Sequence, residues 1–315
     1  CSQSRGLGDV YKRQLIDMPI NKRSDLKTES INKNSINIDS MSTYDILQTI
    51  NNEDIKIPKI VGGSLDKIEA LVDICVKAIK NGKRIFYVGS GTSGRLGVLD
   101  ASEMPPTFKV PNHLFTGIIA GGDRALKSSI EGAEDIGVNA IKDLKKNKLK
   151  SGDVVIGISA SGAAKYVVSA IEFANKCDAK TAYIICNEEP FFKTNQDVLI
   201  NIQTGEEVIT GSTRMKAGTA TKLVLNMIST TVMIKLGKVY KNFMVDLKVV
   251  NKKLKDRGIR IIKEITKSSE DEAGKALSRA NNSVKCAIIM IEKSCSYSEA
   301  CQKLLESDGF LDKVI

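Results

Sequence analysis

The sequence predicts an α/β protein, with a doubly wound, five-stranded parallel sheet followed by a small all-helical domain. Apolar runs of strand length alternate with helical patterns over the first 250 residues, and this order of elements builds parallel sheets. Beyond about Lys255 only short helical patterns remain. With 315 residues and 42% hydrophobic content, the chain is long enough for one large core and a smaller second one.

The N-terminal region consists of a leader, an arm and a helix. Residues 1–17 show neither periodicity nor the apolar core of a signal peptide, so we interpret them as a non-native leader, with the natural start at Met18. Residues 18–63 contain the arm and the helix. The polar stretch 22–40 is expected to be an extended arm that needs a partner surface to become ordered, and a helix is predicted over 43–51.

Residues 64–250 carry the predicted sheet domain. A long helix over 64–81 has apolar residues at helical spacing on one side. Another helix is predicted from about Lys216 to Leu236. The apolar runs between these helices predict five parallel strands, at 84–88, 114–119, 153–158, 181–186 and 198–202.

Residues 255–315 are predicted to form the separate helical domain. Two capping boxes, in which a serine precedes a glutamate by three residues, mark helix starts at Ser269 and Ser296. This region contains no catalytic pattern.

Composition excludes several classes of function. A single histidine and the lack of clustered cysteines argue against a metal site, and no apolar run reaches the length of a membrane span. The net charge of +10 falls on solvated helix faces, and 5% aromatic residues without tryptophan provide no stacking platform for nucleic acid. Seven scattered cysteines indicate a protein of a reducing compartment.

A hydroxyl-rich turn after the first predicted strand opens a helix and predicts an anion pocket. Its residues are Ser90, Gly91, Thr92 and Ser93. The glycine lets the backbone approach a ligand, and the unpaired N–H groups, the helix dipole and three hydroxyls favour phosphate oxygens. The glycine spacing also fits the dinucleotide fingerprint, with Asp123 as its acidic residue, but the double proline 105–106 interrupts the unit that this fingerprint requires. A phosphorylated small molecule is therefore favoured, and a nucleotide is the alternative.

Two further turns add to this pocket. Ser159 and Ser161 follow the third predicted strand, and the carboxyl ends of parallel strands face one crevice, so both turns are expected to hold one ligand. Thr213, Arg214 and Lys216 lie at the start of a later helix. Cations there oppose the helix dipole by about 0.3–1 kcal/mol, so their placement indicates an anion that joins them.

Two carboxylates are the candidates for acid–base chemistry, because the chain has one histidine. Glu103 precedes the double proline, which is expected to end the helix, and a carboxyl beside Met104 and two prolines is expected to be partly removed from water. Glu134 lies in the segment 130–135. About ten helical residues, or ~15 Å, separate Thr92 from Glu103. Either the helix bends or ends early, or Glu103 serves the site of a neighbouring subunit.

Five motifs, in order, resemble those of the N-acetylmuramic acid 6-phosphate etherase family, a bacterial branch of the sugar isomerase domain superfamily. They lie at 88–97, 100–107, 120–122, 131–135 and 210–219. The resemblance covers the chain from about Asn21 to the C-terminus, and the last motif is highly specific. It implies a flavodoxin-like sugar isomerase domain.

The resemblance also implies an activity. Family members cleave the D-lactyl ether of N-acetylmuramic acid 6-phosphate by elimination and hydration, giving N-acetylglucosamine 6-phosphate and D-lactate, in cell-wall amino sugar recycling. The matching motifs make Glu103 the proton donor and Glu134 the second catalytic carboxylate, and which of them removes the C2 proton stays open. A cytoplasmic homodimer that needs no metal or organic cofactor is implied as well.

One departure from the family pattern follows Ser161 and Gly162. Where the family usually has Arg-Thr-Pro, this chain has Ala-Ala-Lys at 163–165, so a threonine donor is missing and weaker substrate binding is expected.

Two other functions stay open. One is an aldose–ketose isomerase of the same superfamily, against which the Glu103 and Thr210 motifs argue. The other is a non-catalytic sugar-phosphate regulator, similar to the glucokinase regulatory proteins. A pure sensor has no need of two acid–base groups, so the presence of both Glu103 and Glu134 favours catalysis.

Overall fold

A computed structural model describes residues 22–247, 249 and 251–315 of the chain, so the predicted leader at 1–17 lies outside the described residues. Its centre is a sheet of five parallel strands in the order β2-β1-β3-β4-β5. The strands are β1 Ile85–Gly89, β2 Phe115–Ile119, β3 Val154–Ile158, β4 Lys180–Ile185 and β5 Val198–Asn201. Each boundary lies within one residue of its predicted position. The predicted doubly wound parallel sheet is confirmed.

Helices cover both faces of the sheet. They are α1 Thr43–Asp54, α2 Ile57–Gly62, α3 Leu65–Lys80, α4 Gly91–Phe108, α5 Gly137–Lys146, α6 Lys165–Lys176 and α7 Lys216–Lys235. Helices α3, α4 and α7 enclose one apolar core, and α5 and α6 enclose a second one on the opposite face. Successive strand residues enter opposite cores, as Tyr87 and Val88 do, because side chains alternate along a strand. Among the described residues, no helix is long and apolar enough to cross a membrane.

Glycines allow α4 to lie close against the sheet. A Cβ atom on Gly94 would meet Ile119 at 2.6 Å, and one on Gly97 would meet Tyr87 at 2.9 Å. Gly91 differs, because it has a φ of +49° and a Cβ there would meet open space. Of the predicted glycines, Gly94 therefore lets the helix pack against the sheet, whereas Gly91 provides the left-handed backbone conformation of the turn.

The double proline does not end α4. The helix continues through Pro105 and Pro106 to Phe108, and it ends at Lys109, which has a φ of +53°. Phe108 lies in the first core and anchors the last turn, which offsets the hydrogen bonds that the two prolines cannot donate. The prediction that the helix ends at the prolines is wrong.

The polar segment 22–40 is ordered against the chain's own surface. It folds into four short 3-10 turns instead of one extended arm. Its buried residues are Leu26, Thr28, Asn32 and Ser35. The partner surface that the sequence requires is formed by loops of the same chain.

A hairpin and four helices follow the sheet. They are β6 Val239–Tyr240, β7 Phe243–Met244, α8 Lys252–Thr266, α9 Glu270–Arg279, α10 Val284–Glu292 and α11 Tyr297–Glu306. These elements enclose a third apolar core, which includes Ile262 and Ile288. Ser296 forms the predicted capping box, whereas the Ser269 side chain accepts the N–H of Glu272 and completes half of one. A domain boundary near residue 255 remains a prediction.

Candidate active site

Two hydroxyl turns lie side by side at the carboxyl end of the sheet. The first turn is 90–93, and the second turn is 159–161. Gly89, the last residue of β1, pairs with Ile158, the last residue of β3. Strand β1 has β2 as its neighbour on one side and β3 as its neighbour on the other, so the direction in which the chain adds strands reverses at β1. The crevice where the strand order reverses therefore opens between Ser90 and Ser159. Ligands of open α/β sheets bind at this type of crevice.

The N-terminus of α4 is open at this crevice. The Ser90 hydroxyl precedes the helix but does not cap it, and donates instead to Oε2 of Glu134 at 3.4 Å. Within the part of the chain that the structure describes, the N–H groups of Gly91, Thr92 and Ser93 have no hydrogen-bond acceptor. Free N–H groups at the positive end of a helix dipole form an anion-binding site.

A cavity of about 330 Å³ connects this helix start to Glu134. Its volume lies in the range of small-molecule sites, about 300–1,000 Å³. Ser90, Gly91 and Arg95 line one side of the cavity, and residues 129–135 line the other. Glu134 lies in the 3-10 turn Ala133–Asp135 and is exposed to the cavity and to solvent. The fold thus brings one candidate carboxylate to the predicted phosphate turn.

The two serines of the second turn have different surroundings. Ser159 is buried, and its N–H donates to the carbonyl oxygen of Ile184 at 3.0 Å, which extends the sheet by one residue. Ser161 is half-buried, and its hydroxyl accepts the N–H of Ala163 at 3.2 Å. A hydroxyl that accepts one bond still has its own proton to donate, so Ser161 keeps a donor for a phosphate oxygen.

The third turn, 213–216, lies close to Thr92 of the first turn. A Cβ atom on Gly218, in the first turn of α7, would lie 3.5 Å from Cγ2 of Thr92 and 3.7 Å from the carbonyl oxygen of Thr213. Thr213 is half-buried and Arg214 is exposed. The structure therefore places Thr213 beside the first turn, with the Arg214 cation next to it in sequence.

Lys216 has a partner inside the chain. Its ammonium group donates to Oε2 of Glu53, in α1, at 2.7 Å, and both side chains are 4% exposed. Burial raises the pKa of Glu53, but hydrogen bonds from Lys216, Lys56 and Asn34 outweigh this effect and lower the pKa to about 2. The anion that accounts for Lys216 is thus Glu53. A ligand is therefore not needed to balance this cation, and Lys216 as a ligand-binding residue stays a prediction that the proposal below leaves out.

Glu207 caps α7, although its sequence position gave no sign of this function. Its carboxylate oxygens accept the N–H groups of Lys216 at 2.8 Å and of Ala217 at 2.9 Å, and the residue is fully buried. Burial raises the pKa of Glu207, although these two N–H groups and the Lys216 charge act in the opposite direction. The glutamate lies nine residues before Lys216, whereas sequence patterns for caps cover only the first turn.

Asn187 is a second residue that sequence reasoning missed. It follows β4, is 2% exposed, and donates from Nδ2 to the carbonyl oxygen of Ala160 at 3.0 Å. Ala160 lies between the two serines of the second turn. A polar residue two positions after the end of a buried strand is the signal that would have found Asn187.

Glu103 lies on α4, outside the cavity at the first turn. The helix is continuous from Gly91 to Phe108, so the axial separation of ~15 Å from Thr92 stands. Glu103 is exposed, whereas Met104 beside it is buried in the first core. The expected partial burial of Glu103 is not found in the single chain, because this carboxyl points outward while Met104 points inward.

Several relatives match this chain over nearly its full length, and three of them serve as examples. An N-acetylmuramic acid 6-phosphate etherase of Mycoplasma mycoides subsp. mycoides is 51% identical over 300 residues, which cover 95% of this chain and 99% of the relative. Proteins of the same name from Bacillus cytotoxicus and Clostridium acetobutylicum are 48% and 49% identical. Each match covers 92% of this chain, and 99% and 96% of the relative, respectively.

Two family models match parts of the chain. The glucokinase regulatory protein N-terminal SIS domain matches residues 67–175, which include both candidate carboxylates. The C-terminal lid domain of glucokinase regulatory protein matches residues 241–285, which include α8 and α9.

Proposed function

This chain belongs to the N-acetylmuramic acid 6-phosphate etherase family, and on that premise we propose that it cleaves the D-lactyl ether of N-acetylmuramic acid 6-phosphate to N-acetylglucosamine 6-phosphate and D-lactate. The observation that carries the proposal is the uncapped N-terminus of α4 with Glu134 beside it. An anion site next to a carboxylate suits a phosphorylated sugar that must both bind and exchange protons.

In this proposal the 6-phosphate lies at the start of α4, held by N–H and hydroxyl donors from the three turns at the sheet edge. Lys216 is left out, because Glu53 occupies its ammonium group. The proposed binding residues are Ser90, Gly91, Thr92, Ser93, Ser159, Ser161, Thr213 and Arg214.

The proposed reaction is an elimination followed by hydration. Opening of the sugar ring produces an aldehyde at C1, which acidifies the C2 proton so that a carboxylate can remove it. The C3–O bond then breaks, and the lactate oxygen takes its electron pair and a proton from a carboxyl group. Water adds to the resulting C2–C3 double bond and restores the sugar. Lactate leaves, water takes its place and no electrons are transferred to another molecule, so these steps call for no redox cofactor.

Glu103 is the proton donor in this scheme and Glu134 is the second carboxylate. The proposal leaves open which of the two removes the C2 proton, because a carboxyl group can donate a proton and its carboxylate can accept one.

A second copy of the chain is proposed to complete the site. Leu99, Glu103 and Pro106 are all exposed, and their spacing places them on one face of α4. Leu99 is 45% exposed, and a subunit contact over this face would bury it and remove Glu103 from water. We therefore place Glu103 of each subunit in the site of the other subunit of a homodimer. Cytoplasmic recycling of cell-wall amino sugars is the proposed setting.

A sugar-phosphate sensor is the second candidate, because both matching family models are domains of a regulatory protein. A sensor binds the same ligand without releasing lactate. An assay of D-lactate after incubation of the purified chain with N-acetylmuramic acid 6-phosphate therefore distinguishes the two, and it also distinguishes an isomerase, which would interconvert sugar phosphates only.

Glutamine substitutions test the catalytic assignments. Glu103→Gln and Glu134→Gln are each expected to lower kcat by about a hundredfold or more, the usual contribution of general acid–base catalysis. Glu69→Gln, an exposed position on α3, is the matched control and should leave kcat unchanged. Lactate release by Glu103→Gln at the full rate would overturn the proposal.

Subunit exchange tests the shared site. Glu103→Gln is mixed with a variant that lacks the Ser90, Thr92 and Ser93 hydroxyls. Random exchange should restore about a quarter of the wild-type activity, because half of the dimers are mixed and each mixed dimer has one complete site. If the mixed sample stays inactive after exchange, each subunit uses its own Glu103.

A further inference from the structure

The N-terminal segment 22–36 crosses the carboxyl ends of the strands and contacts the candidate site at several points. Near its start, Arg23 lies 3.6 Å from Asp135, the neighbour of Glu134. Both of these side chains are about half exposed, so this ion pair contributes little energy. The contacts in the middle of the segment are buried and are therefore more informative.

Thr28 joins the segment to the second turn through Asn187. The backbone N–H of Thr28 donates to Oδ1 of Asn187 at 3.3 Å, and Nδ2 of Asn187 donates back to the Thr28 hydroxyl at 3.1 Å. The same Nδ2 atom also donates to the carbonyl oxygen of Ala160, between Ser159 and Ser161. Thr28 is 0% exposed, so water cannot replace these bonds.

Thr28 also contacts the third turn. Its carbonyl oxygen accepts the N–H of Gly211, three residues before Arg214, at 3.2 Å. A Cβ atom on Gly211 would lie 2.8 Å from a carboxylate oxygen of Glu29, so the segment lies directly against this turn. Thr28 therefore bonds directly to the third turn and, through Asn187, to the second turn.

The following residues hold the loop that leads to the third turn. Asn32 donates from Nδ2 to the carbonyl oxygen of Glu206 at 3.3 Å. The hydroxyl of Ser35 donates to the carbonyl oxygen of Val208 at 2.7 Å. These two contacts bracket Glu207, the cap of α7. The segment thus constrains both the second turn and the start of α7.

We propose that Thr28 is a positioning residue for the substrate site, which sets the second turn and the third turn at the separation that one sugar phosphate requires. The proposal rests on the proposed function, because it assigns these turns to the same ligand. Small displacements of binding groups lower affinity and rate strongly, so a residue that contacts no substrate is expected to alter both.

The test compares Thr28→Val, which keeps the shape but removes the hydroxyl acceptor, with Thr28→Ser, which keeps the hydroxyl. Thr28→Val is expected to raise KM for N-acetylmuramic acid 6-phosphate by about tenfold, in line with the loss of one buried hydrogen bond, and Thr28→Ser by about twofold or less. Thr49→Val, which removes a hydroxyl from α1 away from the site, should leave KM unchanged.

Separate values of KM and kcat distinguish a positioning role of Thr28 from a general loss of folded protein. Partial unfolding lowers the concentration of active enzyme, and so lowers apparent kcat without changing KM. A thermal scan that shows Thr28→Val folded, combined with a KM equal to that of the wild type, would overturn the proposal. An equal rise in KM for Thr28→Ser and Thr28→Val would also overturn it, because the hydroxyl would then be irrelevant.

Binding of N-acetylglucosamine 6-phosphate provides a readout that does not depend on catalysis. If the wild type releases no D-lactate, the proposed function fails, and the positioning proposal is judged by titration with this sugar phosphate. Binding about tenfold weaker in Thr28→Val than in the wild type supports it. Equal binding by both proteins, or no binding by either, contradicts it.

Discussion

Helices α4 and α7 begin at the same edge of the sheet, but their N-terminal N–H groups are satisfied in different ways. At α4 the Ser90 hydroxyl donates to Glu134, and Gly91, the first residue of the helix, lines the cavity. At α7 a buried carboxylate, that of Glu207, accepts the N–H groups of Lys216 and Ala217. Both starts follow glycine- and hydroxyl-rich segments, so their local sequences look alike.

The difference shows how one local pattern serves two purposes. A helix start that the protein satisfies with its own carboxylate contributes to stability, and one that is left open is available to an anionic ligand. Substitutions at the start of α7 are therefore expected to change the free energy of unfolding. Substitutions at the start of α4 are expected to change substrate affinity.

The largest effect is expected from Lys216→Met. It leaves the buried Glu53 carboxylate without its closest buried cation, and breaking a buried ion pair lowers the free energy of unfolding by about 3–5 kcal/mol. Urea unfolding measures this loss. Lys235→Met, at the exposed end of the same helix, is the control, with an expected change below about 0.5 kcal/mol. A raised KM at unchanged stability would instead return Lys216 to the ligand site.

The pH dependence of stability is the next largest effect. The pKa of Glu53 is about 2 in the fold, below its ordinary value of 4.5. The ionised carboxylate therefore stabilises the fold by on the order of 3 kcal/mol above about pH 4.5, and this contribution is lost as the pH falls toward 2. The difference in unfolding free energy between the wild type and Glu53→Gln should shrink over that range. A difference that is constant down to about pH 3 would contradict the role of Glu53.

At the open helix, Ser93→Ala is expected to act on binding alone. The loss of one phosphate donor should raise KM by about fivefold, while the free energy of unfolding changes by less than about 0.5 kcal/mol. Ser102→Ala, an exposed position on the same helix, serves as the control for KM. If Ser93→Ala destabilised the fold and left KM unchanged, the contrast between α4 and α7 would be lost.

The smallest effect is expected from Ala164→Thr, which restores the threonine that the family pattern contains. Ala164 is the N-cap residue of α6 and provides no side-chain cap. A hydroxyl there should lower KM by about twofold and add about 0.5–1 kcal/mol of stability. Ala164→Val has the same shape without the hydroxyl and is the control. If KM did not fall in Ala164→Thr, the missing threonine would not weaken substrate binding.

Several features of this protein were determined by its sequence alone. The strand boundaries follow from short apolar runs, because a parallel strand covered on both faces needs apolar residues throughout. The turn at 90–93 and its neighbour at Ser159 were predicted to face one crevice, and the pairing of Gly89 with Ile158 confirms that the turns are adjacent. These inferences depend on neighbours in sequence and on the general geometry of parallel sheets.

Only the tertiary structure decided that the start of α7 is satisfied by a carboxylate of the chain, whereas the start of α4 stays uncapped. Glu53 and Lys216 are 163 positions apart, and Thr28 and Asn187 are 159 apart, so no local pattern connects them. Helix α4 passes through two prolines because its far end packs into the core. Local sequence encodes interactions within about one helical turn, whereas the partner of a buried polar group is set by how distant segments pack together.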